Sequence, residues 1–157
     1  MTQILLADLG LHVIGVGYQV TLSPGFVLQV DADWWTPWTR QLVQYQTDET
    51  GVLLRARPVW YFDDAPTGSW ISPFAQAGPA RATVDGELTA GWAGAVGLSL
   101  GFSWLLREHL HAAIGGGAQF DWALFPPPPG TFCIDTCFPP GFAGLWPHLD
   151  ATVGYAF

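Results

Sequence analysis

Polar and apolar residues alternate with a period of two along most of this chain, the spacing of a strand with one greasy face. In LHVIGVGYQVTL (11–22), Ile14, Val16, Tyr18, Val20 and Leu22 share one face, while Gly15, Gly17, Gln19 and Thr21 share the other. In GWAGAVGLSLGFSWLL (91–106), Trp92, Val96, Leu98, Leu100, Phe102 and Trp104 oppose Ala93, Ala95, Gly97, Ser99, Gly101 and Ser103. The final HLDATVGYAF repeats the pattern: Leu149, Ala151, Val153, Tyr155 and Phe157 lie on one side, and His148, Asp150, Thr152, Gly154 and Ala156 on the other. Similar runs at 2–9, 26–35, 52–62, 70–80 and 110–124 bring the count to eight expected strands. Few segments read as helix.

The punctuation between these runs has its own order. Short turns are expected at 23–25, 63–69 and 107–109, and longer loops at 36–51, 81–90 and 125–144. Pro73 and Pro79 cannot donate to a ladder, so a bulge or distortion is expected in 70–80. An even number of strands with short turns on one rim and long loops on the other suits an eight-stranded antiparallel up-and-down transmembrane β-barrel, a single domain over residues 1–157. The strand lengths mostly match the roughly 9–11 residues that cross a bilayer when tilted.

Composition sharpens this expectation. Half the residues are hydrophobic, 15% are aromatic and only 11% are charged, against about a quarter charged in an ordinary soluble domain. Yet no stretch approaches the roughly 20 apolar residues of a spanning helix. A membrane barrel reconciles the two facts, because only alternate residues must be apolar. The net charge of −8 argues against nucleic acid as a partner. Met1 is followed by TQILLADLG, without a basic n-region and apolar h-region; a mature chain carrying a new start Met is the reading expected here.

The second face is mostly Gly, Ala, Ser, Thr and Gln. Such a face clothes a soluble surface poorly but fits the narrow interior of an eight-stranded barrel. Trp34, Trp60, Trp92, Trp104, Trp122 and Tyr155 lie near strand ends, where interfacial aromatics belong. With these features, and with the terminal Tyr155-Ala156-Phe157, the chain resembles the small eight-stranded outer-membrane barrels of Gram-negative bacteria grouped around the OmpA membrane domain and OmpX. The resemblance rests on pattern over nearly the whole chain, and the Gly of the usual terminal signal is displaced here to Gly154. It implies location in an outer membrane, a monomer held by the lipid bilayer or detergent, and an insertion signal at Tyr155 and Phe157 that the assembly machinery reads.

The inward polar set includes Asp31, Asp33, Arg55 and Arg57, whose matching spacing on neighbouring strands predicts a salt-bridge ladder inside the barrel. His148 is expected near Asp121, and His111 far from it. No GxSxG, HExxH or phosphate-cradling motif is present, so no catalytic residue, metal site or cofactor is expected. Cys133 and Cys137, four apart in the Pro-rich loop, are expected to form a small disulfide. The role these features suggest is structural, adhesive or loop-mediated binding. The alternatives are a soluble lipocalin-like carrier of apolar ligands, a narrow channel and a lipid-modifying barrel enzyme.

Overall fold

A computed structural model of the chain describes residues 2–10, 13–36, 49–84, 87–106, 109–125 and 143–157. These form eight strands: β1 (Thr2–Gly10), β2 (Val13–Ser23), β3 (Phe26–Trp35), β4 (Thr50–Tyr61), β5 (Gly68–Val84), β6 (Glu87–Leu106), β7 (Leu110–Leu124) and β8 (Gly144–Ala156). Each pairs antiparallel with the next in sequence, and β1 closes on β8. No strand therefore keeps an open edge along the closed wall. Closure is sealed by reciprocal backbone bonds, Thr2 N–H to Phe157 O (3.2 Å) and Phe157 N–H to Thr2 O (3.0 Å). Paired residues followed once around the ring return to β1 about ten residues further along, a stagger that goes with strands tilted by about 35–45°.

One expectation is corrected. Residues 81–90 are not a loop, because β5 continues to Val84 and pairs with Glu87 at the start of β6. The distortion expected around the strand-five prolines is present, as a lapse in pairing and not as a bulge. The β5–β6 register runs unbroken through Pro73↔Leu98 and Pro79↔Trp92. What fails is the β4 side. Ala56↔Ala75 and Trp60↔Ile71 flank a lapse in pairing that sets Pro58 opposite Pro73, two residues without an N–H. The Ser72 hydroxyl donates to the Pro58 carbonyl (2.8 Å) and replaces the missing ladder donor there. Register shifts occur instead in β1, after Leu5, and near the end of β2, between Thr21 and Ser23.

The alternation resolves into an inside and an outside. Inward side chains are layered along the barrel. At the end carrying the long connections, Val13, Trp35, Leu53, Ala93, Ala123 and Phe125 form an apolar cluster. At the turn end, Val27, Val59, Tyr61 and Trp70 form another, with Ala65 of the β4–β5 turn against it. Polar side chains fill the middle. Inward glycines make the room: a Cβ at Gly101 would stand 2.2 Å from the Trp70 ring, and one at Gly97 2.5 Å from the Phe74 ring.

Candidate functional site

The middle layer of the interior is the most chemically distinctive place in the fold. Asp31 on β3 and Arg55 on β4 stand directly opposite each other in register. Arg55 Nε lies 3.1 Å from Asp31 Oδ2 and 3.4 Å from Asp33 Oδ2. Gln29 Nε2 donates to the other oxygen of Asp31 (2.8 Å). All three charged groups are almost wholly buried, where an ion pair persists only if its partners and remaining lone pairs are satisfied.

Of the expected ladder, the contacts of Arg55 with both acids are in place. The same register that faces Arg55 with Asp31 places Arg57 opposite Gln29, one step towards the turn end. Arg57 crosses the lumen and pairs through Nη1 with Asp150 Oδ2 on β8, while its guanidinium lies 5.5 Å from the Trp70 ring centroid. Asp150 lies on the polar side of the final alternating run, but its pairing with Arg57 was not legible from the sequence. The partners are 93 residues apart, and only ring closure brings β8 across from β4.

On the far wall, His148 Nδ1 donates to Gln119 Oε1 (2.7 Å) and Gln119 Nε2 donates to Asp121 Oδ1 (2.7 Å). His148 and Asp121 are thus near neighbours, joined through an amide. The His148 ring also packs on Phe74, with centroids 4.4 Å apart. His111 sits towards the turn end, opposite Gly154 and remote from Asp121. The aromatics Trp35, Trp70, Phe74 and Phe125 are buried and fill the interior. Position parity along each strand was the available signal.

Glycines on β2 position the acids. A Cβ at Gly17 would fall 1.9 Å from Asp31 Oδ1, and one at Gly15 would fall 2.0 Å from Asp33 Oδ1. Both carboxylates therefore lie over bare backbone. Gly17→Ala should displace the Asp31 carboxylate and cost about 1–3 kcal/mol as overpacking. The double variant Gly17→Ala/Asp31→Ala should cost little more than Asp31→Ala alone, because the clash goes with the carboxylate. Urea midpoints of the three variants check this, and strict additivity would contradict the contact.

The outer face is the reverse of a soluble surface. Trp34, Trp92 and Leu98 are exposed by 53%, 58% and 47%, and their neighbours on the same rows are similar. Trp34, Trp92 and the half-buried Trp122 encircle the loop end, and Trp60, Trp104, Tyr155 and Phe157 encircle the turn end. Tyr155 stacks between His109 and Phe157, with centroids at 5.4 and 6.5 Å. On β6, Trp92 and Trp104 are twelve positions apart. That is about 40 Å along the strand and about 30 Å along the axis at a tilt of about 40°. Between them the outward residues are Gly94, Val96, Leu98, Leu100 and Phe102, without one polar side chain.

Cys133 and Cys137 lie outside the described residues. Among the described residues, no group of three or more His, Cys, Asp or Glu is placed to hold a metal ion, and no helix is long and apolar enough to cross a membrane, which says nothing of crossing by strands. No protein-family model, curated protein or solved structure matches the chain.

Proposed function

We propose that the protein is an integral outer-membrane barrel of a Gram-negative bacterium, similar in kind to the OmpA membrane domain and OmpX. It stands as a monomer in the bilayer, and its interior is packed shut. Its role is structural or adhesive, with the long connections offered at one end, and it needs no catalysis or cofactor. The observation that carries this reading is the outward row of β6, apolar between two Trp about 30 Å apart. A row of that height matches a hydrocarbon core and would be a severe aggregation hazard in water. Tyr155 and Phe157, outward at the end of β8, fit the role of an insertion signal for the assembly machinery.

Refolding from urea tests it. The expected result is a β-rich species only in detergent or lipid, with a band that shifts on boiling before electrophoresis. A monodisperse protein in plain buffer would favour the soluble carrier instead. That reading already sits badly with a lumen whose middle layer is ionic and amide-bearing.

The interior also bears on transport. A crossing Arg57–Asp150 pair between two apolar clusters leaves the axis occupied at three levels. In planar bilayers the protein should give no discrete conductance steps. Steady single-channel currents would favour the narrow-channel reading.

A further inference from the structure

Arg81 is the one charged residue on the outward strand rows among the described side chains. The chain carries five basic residues against a net charge of −8, and Arg55 and Arg57 are consumed inside. Arg81 is exposed near the loop end of β5, paired in register with Thr50 and Ala90. No ion pair joins it to another described residue.

Beneath it the wall is hollowed. A groove of about 430 Å³ runs across the outward surface of β3 to β6, with Arg81 on its rim. Val52, Pro79 and Ala90 line it with small or flat side chains, together with Trp34 and Leu88. The volume falls in the range of small-molecule sites, about 300–1,000 Å³. One step towards the turn end, Leu54 and Ala77 pair in register and line a second apolar groove of about 360 Å³. A cation above two successive apolar grooves, a furrow followed along β4 and β5, has the polarity of a lipid: charge at the interface and chain below.

We infer that this groove seats a lipid with an anionic phosphate headgroup, its phosphate on Arg81 and an acyl chain along the furrow. The inference rests on the membrane-barrel reading above. A guanidinium offers a planar fork that matches phosphate oxygens. Its aliphatic stem reaches along apolar surface while the charge stays at the interface. Trp34 supplies a rigid wall for the glycerol region, and the small residues at Pro79, Ala90 and Ala77 keep the furrow open.

The test uses the detergent-folded protein, with native mass spectrometry of bound lipid after addition of equimolar phosphatidylglycerol and phosphatidylcholine of identical chains. The parent should retain phosphatidylglycerol preferentially. Arg81→Gln should cut that retention about fivefold while leaving phosphatidylcholine unchanged, the loss of one interfacial cation. Ala90→Trp, which fills the groove, should reduce both lipids together. An unchanged lipid ratio in Arg81→Gln would overturn the headgroup assignment. Unchanged retention in Ala90→Trp would overturn the chain assignment. Displacement of phosphatidylglycerol by millimolar inorganic phosphate would show a free-anion site and overturn the lipid. If the parent folds with a heat-dependent band shift but has no phosphatidylglycerol preference, only this inference falls. If the parent does not fold in detergent, the membrane reading falls with it.

Discussion

Arg57→Met should lower the unfolding free energy by about 3–5 kcal/mol, because it leaves the Asp150 carboxylate buried with its cross-lumen partner gone. Both side chains are nearly inaccessible, so water cannot take over the role of the guanidinium without opening the barrel. The double variant Arg57→Met/Asp150→Leu should recover most of the loss, since replacing a buried pair with apolar groups of similar volume is often neutral or stabilising. Urea unfolding of the detergent-folded protein, followed by tryptophan fluorescence, measures all three. Trp70 packs beside Arg57 and should report the change locally. A single variant as stable as the parent would mean that the pair is solvated and the lumen is not closed at that level.

The second large effect concerns the outside. Leu98 is the midpoint of the β6 row between Trp92 and Trp104, and it is outward-facing. Leu98→Arg should destabilise the protein in bilayers by about 2–4 kcal/mol, the expected penalty for a cation at the midplane, whereas Leu88→Arg, beyond the aromatic belt, should cost about 0–1 kcal/mol. Folding yield into vesicles, scored by the heat-dependent band, gives the comparison. Equal yields for the two variants would remove the bilayer from the explanation of this face.

The wall was readable and the lumen only partly so, for a physical reason. Face assignment in 11–22, 26–35 and 91–106 follows from parity alone, because one side must be apolar along the whole run. The signal fades in 81–90. There Arg81 and Thr83 interrupt the greasy face, so the segment resembles a loop although it is paired. These residues lie at the end of the hairpin beyond Trp92, where the demand for apolar side chains ends but hydrogen bonding does not. Pairing inside the barrel is a different matter. Asp31–Arg55 could be read because the two strands are sequence neighbours. The exact register could not, and a shift of one inward pair decides whether Arg57 faces Asp31 or, as observed, Gln29.

The glycines that admit the large inward side chains carry a further consequence. Trp70 lies against Gly101 and Gly115, Phe74 against Gly97, Phe125 against Gly91, Asp31 against Gly17 and Asp33 against Gly15. Each is a partnership across strands in which one member is large because the other has no side chain. Inheritance at these sites is therefore joint. A side chain gained at Gly17 is tolerated only in a lineage where the residue at Asp31 has already shrunk, and a shrunken residue 31 opens a void that favours growth at position 17. Divergence in the lumen should proceed by compensated exchanges, while the outward rows, bounded only by apolarity, drift one residue at a time.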